Sequence, residues 1–288
     1  MINPTSLLDI LQSVVGPSHA RSPISLHEPD FKGTRALEYV ADCVESGWVS
    51  SNGSYVSRFE SDLASFAGSS HSVAVSNGTV GLRLALHCVG VEHNTEVLMP
   101  PLSFVATANA VSHLGAVPHF IDIDPQTLAL SPLALRQRLE EVALKEGDRV
   151  VNRVTGRRIS ALVVVHVFGN PAEMLPLQQV AAEWGLPLVE DAAEALGSFY
   201  QGTHCGLHGD VGVLSFNGNK LITTGGGGAL LTNNPELASR AKHLSTTAKL
   251  PHSWDFNHDD VAWNDRMPNI NAALGCAQLE LLSKRLSK

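Results

Sequence analysis

The sequence predicts an α/β protein built on a mostly parallel, seven-stranded sheet with helices on both faces. Seven short, almost continuously apolar runs have the length and composition of strands that are buried on both faces. Segments with helical spacing separate most of these runs. Such alternation is typical of a parallel sheet whose crossover connections are helices, and it predicts one large α/β domain.

The predicted strands follow one another at intervals that leave room for helices. They are SVAVS (72–76), EVLMP (96–100), PHFIDI (118–123), ALVVVHVF (161–168), PLVED (187–191), GVLSF (212–216) and GALLT (228–232). Only a lysine-containing glycine loop joins the last two. Because parallel neighbours need a longer crossover connection, we predict that one of these two strands runs antiparallel to the rest.

The predicted helices have apolar residues at three- and four-residue spacing. They cover residues 34–47, 55–68, 79–90, 104–114, 131–146, 175–185 and a segment that begins at 269. Before the first of them, residues 1–30 are predicted to form a short helix and an extended arm, RSPISLHEPD, in which two prolines oppose helix. Residues 31–268 then form the large domain, and residues 269–288 begin the last helix.

Composition narrows the class of partner. The net charge is −8 and the chain contains no basic run, which argues against a nucleic acid or an anionic membrane and favours a small molecule. The four scattered cysteines fit reduced thiols in a cytoplasmic protein. The segment LLDILQSVVG lacks the basic flank and cleavage site of a signal peptide, and no apolar stretch is long enough to span a bilayer.

Three motifs lie where predicted strands end, which is where parallel sheets bind ligands. In SNGTVGLRLAL the backbone N–H groups of Gly78 and Thr79 begin a helix and are placed to hold a phosphate, although an ordinary strand-to-helix turn has the same composition. In VEDAAEALGS a strand ends with Glu190 and Asp191, and helix capping by Asp191 is the alternative. In SFNGNKLITTGGGG a lone Lys220 follows the strand.

Together these motifs fit pyridoxal phosphate better than any of them does alone. This cofactor needs a lysine for a Schiff base, a carboxylate beside its pyridine nitrogen, a phosphate cradle and an apolar partner for its ring. Lys220 supplies the amine and Asp191 the carboxylate. Gly78, Thr79 and Ser215 supply the phosphate cradle, and Phe104 supplies the apolar partner of the ring.

Five motifs resemble, in order and spacing, the nucleotide-sugar aminotransferases of the DegT/DnrJ/EryC1 group, within the fold type I enzymes that use pyridoxal phosphate. They are SNGTVGLRLAL, PPLSFVATANAV, VEDAAEALGS, GDVGVLSFNGNKLITTGGGGALLT and NDRMPNINAALGCAQLE. The resemblance runs from about Pro23 to the end of the chain. Within the group, ISLHEP, SGWVSSNGSYVSRFE and SFNGNKLITTGGGG are most similar to the branch that aminates C4 of UDP-linked 4-keto-6-deoxy-2-acetamido sugars, as in legionaminic acid pathways.

The resemblance implies roles for the site residues. It implies that Lys220 forms the Schiff base and that Asp191 pairs with the pyridine nitrogen. Phosphate binding by Gly78, Thr79 and Ser215 and ring stacking by Phe104 are implied in the same way. Asn264 matches an asparagine that reaches the phosphate site of the neighbouring subunit, so a homodimer is expected.

The sequence departs from the family pattern at two positions. Asp265 stands where an aromatic residue is usual, which puts in question the packing around Asn264 and Arg266. Glu194 stands where many relatives have glutamine near the phenolic oxygen of the cofactor. A carboxylate would repel a phenolate unless it were protonated or turned away, so the role of Glu194 is open.

Other polar residues have a structural interpretation beside a functional one. His204, Cys205 and His208 in HCGLH suggest a metal but lack a further ligand nearby, and we predict a surface loop without a metal. His166 and Asn170 end a strand and either border the pocket or pack in a turn. Two further candidates for substrate or lid contacts are Trp254 and His258.

The predicted function is a cytoplasmic aminotransferase of polysaccharide biosynthesis that converts a nucleotide-linked 4-keto-6-deoxy sugar to the 4-amino sugar, with glutamate as donor. Lys220 argues against the related sugar 3-dehydratases, in which histidine replaces it. The alternatives are a truncated or degenerate relative that binds pyridoxal phosphate without activity, and a doubly wound nucleotide-binding domain, although GxGxxG is missing.

The resemblance also concerns the chain end. The family's small C-terminal domain normally continues from the last helix and closes over the substrate, and only SKRLSK follows that helix here. We expect the 288-residue chain to bind the cofactor as a dimer, to aminate a nucleotide sugar more slowly than a longer form and to aggregate more readily.

Overall fold

The computed structural model of the protein describes residues 9, 10, 13 and 28–287. Most of the N-terminal helix and of the extended arm predicted for residues 1–30 therefore lies outside the described residues. None of the described helices is long and apolar enough to cross a membrane.

The helices of the described residues are α1 (Ala36–Ser46), α2 (Ser54–Ala67), α3 (Gly78–Cys88), α4 (Val105–His113), α5 (Pro132–Val142), α6 (Met174–Trp184), α7 (Pro235–Ser245), α8 (Asn269–Leu279) and α9 (Leu282–Leu286). The first two end at Gly47 and Gly68, which have the left-handed conformation that glycine tolerates at a helix end (φ 75° and 74°). α7 was not predicted. It begins at a proline, and the Asn234 side chain accepts from the N–H groups of Glu236 and Leu237.

The strands are β1 (His71–Val75), β2 (Glu96–Met99), β3 (Val117–Phe120), β4 (Ala143–Glu146), β5 (Arg149–Asn152), β6 (Arg158–Val165), β7 (Leu188–Asp191), β8 (Phe199–Tyr200), β9 (Thr203–His204), β10 (Val211–Ser215) and β11 (Gly228–Thr232). Nine of them form the main sheet, in which seven follow the order β1-β11-β10-β7-β6-β2-β3 and the β4–β5 hairpin is attached through β6. β10, β7, β6, β2 and β3 pair in parallel, whereas β11 is antiparallel to both β10 and β1. The predicted mostly parallel sheet, with one of the last two strands reversed, is confirmed. The predicted number of seven strands is wrong, because β5 pairs antiparallel with β6 and, together with β4, extends the sheet to nine strands.

Apolar residues on alternating sides of each strand build a three-layer core. On one face, β6 residues Val163 and Val165 pack with α3, α4 and α7. On the other face, Leu162 and Val164 pack with α5 and α6. α1, α2 and α8 cover the remaining strands of that second face, with Phe59 of α2 at the centre of their cluster. Both faces of the sheet are therefore buried, as the continuous apolar runs predict.

One predicted helix ends earlier than expected. The prediction of helix over 131–146 is wrong after Val142, because Ala143–Glu146 forms strand β4 and pairs with β5 in an antiparallel hairpin. The sequence ALKE consists of good helix formers, so pairing with β5 overrides local propensity. The turn of the hairpin contains Gly147, whose φ is 64°.

The topology fixes where a ligand can bind. β1, β2, β6, β7 and β10 point in the same direction, so their carboxyl ends meet at one edge of the sheet. β11 starts at this same edge, because Gly228 lies opposite both Val75 and Ser215. The loops that follow these strands surround the candidate site.

Candidate active site

A cavity of about 490 Å³ lies at the carboxyl edge of the sheet. Seven of the eight predicted site residues line it, namely Gly78, Thr79, Phe104, Asp191, Glu194, Ser215 and Lys220. Segments that are far apart in the sequence thus converge on one space. Asn264 is exposed and does not line this cavity.

Lys220 lies on a turn that directly follows β10. Its backbone N–H donates to the carbonyl of Asn217 at 3.1 Å, which closes the turn. The side chain is only 16% exposed, and Nζ lies 2.9 Å from Oε1 of Glu194. The carboxylate of Glu194 is therefore paired with the lysine, and the positive charge of the ammonium balances it.

Asp191 is the last residue of β7, and its carboxylate is buried at the cavity wall. Oδ2 accepts from the hydroxyl of Thr107 at 2.6 Å, and Oδ1 accepts from the N–H of Ala193 at 3.2 Å. Burial raises the pKa of Asp191, and these two hydrogen bonds only partly oppose the rise. The carboxylate thus caps a local turn and also offers a desolvated negative charge to a cationic ligand.

The start of α3 is suited to a phosphate. The Asn77 side chain accepts from the N–H of Val80 at 3.0 Å. The first N–H groups of a helix, those of Gly78 and Thr79, have no intrahelical acceptor and lie at the positive end of the helix dipole. A Cβ on Gly78 would lie 3.0 Å from Cβ of Ser215, so glycine allows the hydroxyl of Ser215 to approach this helix end.

The glycine run before β11 has a steric reason. A Cβ on Gly228 would lie 2.6 Å from the carbonyl carbon of Asn77 and 2.8 Å from the backbone nitrogen of Gly78. These are backbone atoms of the helix start that lines the cavity, and they cannot move away as a flexible side chain can. The glycine therefore lets β11 pass directly behind the candidate phosphate site.

Substitution of Gly228 by alanine is expected to lower the free energy of unfolding by about 1–3 kcal/mol, the usual cost of overpacking, and to weaken cofactor binding by displacing Gly78. Urea unfolding and titration with pyridoxal phosphate measure the two effects. Gly226→Ala is the matched control, because a Cβ there meets no atom within 4 Å. Equal stability of the two variants would contradict this explanation of the glycine run.

Two aromatic rings stand at the cavity. Phe104 is the N-cap residue of α4 and is 78% exposed. Phe168 lies in the short turn after β6 and is 75% exposed. Only Phe104 was predicted from the sequence. Phe168 could have been identified from ALVVVHVF, because it is the last residue of this apolar run and lies where the strand ends.

Glu190 forms a buried polar network beneath the cavity. Its carboxylate accepts from the N–H groups of Gly206, His208 and Gly209 at 2.8, 2.7 and 2.6 Å. Nε2 of His166 lies 2.8 Å from the same carboxylate. Burial alone would raise the pKa of Glu190, but the hydrogen bond from His166 and those from the backbone hold it below the usual range.

His166 lines the cavity and links it to this network. The N–H of Ala172 donates to its Nδ1 at 3.2 Å, so the other ring nitrogen, Nε2, carries the proton that faces Glu190. Asn170, which was considered together with His166, is exposed and does not line the cavity. The sequence singled out Glu190 and His166 separately, but their pairing joins two strands and leaves no local signal.

The surface loop predicted for HCGLH is wrong for two of its residues. His204 and Cys205 are buried, and Nε2 of His204 accepts from the N–H of Gly197 at 3.0 Å. The segment is buried because its own backbone N–H groups, those of Gly206 and His208, and that of the next residue, Gly209, donate to Glu190. Within residues 28–287 no group of three or more His, Cys, Asp or Glu side chains is arranged to hold a metal ion.

The segment around Asn264, which is predicted to reach the partner subunit, is held in place by contacts within the chain. Asp265 is buried and forms an ion pair with Arg83 at 2.5 Å. The guanidinium carbon of Arg83 lies 4.3 Å from the ring centroid of Trp263, a cation–π contact. Asn264 is exposed and accepts from Nε of Arg266 at 2.9 Å. The acidic residue at position 265 is thus neutralised from within the chain, and Asn264 faces outward.

The loop before this segment is exposed. Trp254 is 85% exposed, and Nδ1 of His258 lies 2.6 Å from the carbonyl oxygen of Thr247. Neither residue lines the cavity, so their roles as lid or substrate contacts stay predictions.

Comparison with known proteins supports the resemblance seen in the sequence. The sequence profile of the DegT/DnrJ/EryC1/StrS aminotransferase family matches residues 31–288. A GDP-perosamine synthase of Escherichia coli O157:H7 is 36% identical over 265 residues, which is 92% of this chain and 68% of the relative. A putative pyridoxal phosphate-dependent aminotransferase of Bacillus subtilis, EpsN, is 37% identical over 265 residues, 92% of this chain and 65% of the relative.

Solved structures agree with these relatives. DesI, crystallised in the presence of its TDP-sugar product, superposes with a TM-score of 0.77 at 32% identity and covers 96% of this chain and 66% of that chain. The chain thus spans about two thirds of the length of the relatives it matches. The similarity to the legionaminic acid branch stays a prediction.

Proposed function

The chain belongs to the DegT/DnrJ/EryC1/StrS family of pyridoxal phosphate-dependent aminotransferases, and from this premise we propose that it aminates a nucleotide-linked 4-keto-6-deoxy sugar at C4, with glutamate as amino donor. The relatives named GDP-perosamine synthase and the DesI structure with a TDP-sugar product support a nucleotide sugar as substrate. The sugar and its nucleotide are part of the proposal.

One observation carries the proposal: a single cavity brings together a primary amine, a buried carboxylate and a free helix start. Asp191 forms no ion pair with a lysine, arginine or histidine among the described residues. Consistent with this, burial raises the pKa of Asp191. A buried charge of this kind is stabilised by a cationic partner. The protonated pyridine nitrogen of pyridoxal phosphate is such a partner, and a phosphate suits Gly78 and Thr79, so the residues fit the cofactor.

The bound cofactor supplies an aldehyde and an electron-accepting ring. Within the chain, Nζ of Lys220 is the group that holds the aldehyde and later moves a proton at the reacting carbon. Glu194 accepts from Nζ at 2.9 Å and therefore keeps the free ammonium directed into the cavity. This gives Glu194 a role that glutamine fills less well, because an amide carries no charge to pair with the ammonium.

Asp191 and its neighbours hold the ring. The Thr107 hydroxyl orients the carboxylate, which stabilises a positive charge on the pyridine nitrogen. The exposed ring of Phe104 covers the cavity from the α4 side. Ser215 joins the helix start in binding phosphate. Asp191 is buried, and the low dielectric around it strengthens its electrostatic contacts.

We also propose a homodimer in which Asn264 completes the phosphate site of the partner. Asn264 is exposed outside its own cavity, and the pair of Asp265 and Arg83 fixes the segment that carries it. A surface amide that reaches a phosphate donates a hydrogen bond without adding charge. The Asn264→Ala variant is expected to remain a dimer in analytical ultracentrifugation. It is also expected to bind pyridoxal phosphate more weakly than the wild type.

We place this activity in the cytoplasm. The four cysteines Cys43, Cys88, Cys205 and Cys276 are free thiols. Burial raises the pKa of Cys88 to about 11 and that of Cys276 to about 12, so these thiols are protonated and unreactive at neutral pH. Free thiols suit the reducing conditions of that compartment.

The proposed function is tested in two steps on the same protein. Incubation with pyridoxal phosphate, reduction with borohydride and peptide mapping are expected to place the cofactor on Lys220. Addition of glutamate with UDP-, GDP- or dTDP-linked 4-keto-6-deoxyhexose is expected to give an amino sugar with one of them, detected by mass spectrometry. Cofactor on Lys220 without any amino sugar would favour the non-catalytic relative, and no cofactor on Lys220 would refute the site itself.

A further inference from the structure

Phe168 has an unfavourable backbone conformation for its residue type. Its φ and ψ are 55° and 24°, in the left-handed region that bulky side chains rarely adopt. The strain is not relieved by burial of the ring, because the residue is 75% exposed. Strained residues at functional sites persist where the surrounding structure over-determines them.

The neighbours of Phe168 leave the turn little freedom. The N–H groups of Gly169 and Asn170 donate to the carbonyls of His166 and Val167 at 3.1 and 3.0 Å. The carbonyl of Gly169 accepts from the Ser198 hydroxyl at 2.7 Å. On the other side, the buried imidazole of His166 is bonded to Glu190. The fold thus holds this ring outward, and the strained backbone of Phe168 costs stability.

The ring points to a second space beside the first. Phe168, Glu194 and Lys220 line both the 490 Å³ cavity and an adjoining cleft of about 380 Å³. The cleft is also lined by Glu28 and Leu221. Phe168 therefore forms the boundary between the space that suits the cofactor and a space that opens next to the amine of Lys220.

The chemistry of this cleft favours the ring of a sugar. Carboxylates such as Glu28 accept hydrogen bonds from hydroxyl groups. Phe168 and Leu221 offer apolar surface, which suits the C–H face of a pyranose and an apolar C6 methyl group. The cleft is a poor place for a diphosphate, since Glu28 repels it and Lys220 already pairs with Glu194.

We propose that Phe168 is a specificity-determining residue whose strained, outward conformation supplies the apolar wall against which the sugar ring of the substrate packs. This inference rests on the proposed function and deepens it, because it assigns the cleft to the sugar and directs the nucleotide diphosphate away from Glu28. Glutamate, the other substrate, carries a second carboxylate and gains nothing from an acidic cleft, so it does not depend on Phe168.

The test compares Phe168→Gly and Phe168→Tyr with Leu128→Gly. Leu128 also has a left-handed backbone, with φ 61°, but it does not line the site. Phe168→Gly is expected to keep or raise the Tm, since it relieves strain at a side chain that is 75% exposed, whereas Leu128→Gly also removes a side chain that is about two-thirds buried. Only Phe168→Gly is expected to raise KM for the nucleotide sugar, by about tenfold or more, because apolar contact is lost. Phe168→Tyr retains an aromatic face and is expected to keep KM near that of the wild type.

The half-reaction with glutamate, followed by the change in cofactor absorbance, separates a specific loss of sugar binding from a general loss of activity. It is expected to be unchanged in Phe168→Gly. An unchanged sugar KM in this variant, or an equal loss in the glutamate half-reaction, would overturn the inference. A wild-type protein that aminates no sugar would instead defeat the proposed function. Binding of unreactive nucleotide-linked 6-deoxyhexoses then decides the case, since their Kd must still rise in Phe168→Gly and not in Leu128→Gly.

Discussion

Replacement of Lys220 by alanine is expected to reduce transamination to background while leaving the fold intact. A positioned proton-transfer group contributes roughly 10²–10⁴-fold to rate, and the same side chain is proposed to hold the aldehyde of the cofactor. The ion pair with Glu194 is partly exposed and contributes little to stability, so the Tm changes little. Steady-state amination assays and thermal unfolding of the purified variant measure both expectations.

The matched control for this variant is Lys242→Ala. Lys242 also pairs with a glutamate, Glu60, at 2.6 Å, but it lies outside the cavity. It controls for the loss of one ion-paired ammonium. Partial recovery of Lys220→Ala by an added primary amine, with no effect on the control, would support a chemical role. Near-wild-type turnover by Lys220→Ala would contradict the assignment of Lys220 as the amine that holds the cofactor.

Asp191→Asn is expected to slow the reaction by about 100-fold or more. A charge-assisted contact contributes about 1.5–3 kcal/mol, and each 1.36 kcal/mol corresponds to a tenfold change in rate. An amide cannot stabilise the protonated pyridine nitrogen, so the electron-accepting character of the ring is lost in addition. The hydroxyl of Thr107 can rotate to accept from the new amide, which preserves the local hydrogen bonds. Single-turnover kinetics with glutamate measure the loss.

The same substitution is expected to stabilise the cofactor-free protein at neutral pH. Because burial raises the folded-state pKa of Asp191, the stability that its protonated form contributes is complete below the ordinary carboxyl pKa of about 4 and is lost as pH rises through the folded pKa. Asparagine does not titrate. The Tm of the variant should therefore exceed that of the wild type at pH 7, by about 2–4 °C per kcal/mol relieved, and the difference should vanish under acid conditions.

Asp124→Asn provides a control of opposite sign. Hydrogen bonds from the backbone N–H groups of Thr127 and Gln126 lower the pKa of Asp124, so its contribution is present above the ordinary carboxyl pKa and is lost as pH falls through the lowered value. This variant should be less stable than the wild type at pH 7. A parallel response of the two variants to pH would show that Asp191 is merely a capping residue.

The fold was predictable where the local pattern and the tertiary environment agree. The strand ALVVVHVF is apolar at nearly every position because β6 is covered on both faces, and the glycine loop before β11 left only an antiparallel arrangement. The β4–β5 hairpin was missed because ALKE favours helix locally, and only its pairing with Arg149–Asn152 makes it a strand. Local propensity cannot detect a partner that follows along the chain.

The site was predictable for residues that directly follow strands, such as Asp191 and Lys220, because topology brings strand ends together. It was not predictable for residues whose meaning depends on a distant partner. Thr107 is an ordinary helix residue until its hydroxyl meets Asp191, 84 positions later. Likewise, the polarity of HCGLH predicts exposure, whereas the N–H groups of Gly206 and His208 within it donate to the buried carboxylate of Glu190.

The network around Glu190 has a consequence for altering the substrate range of this protein. One carboxylate anchors both the strand that ends in Asp191 and, through His166, the turn that carries Phe168. A library that randomises Glu190 or His166 would disturb both contacts together and yield mostly inactive clones. Variation confined to Phe168, Leu221 and Glu28 would leave that anchor untouched. Selection for a new sugar should therefore succeed at the cleft's rim while its buried support is held constant.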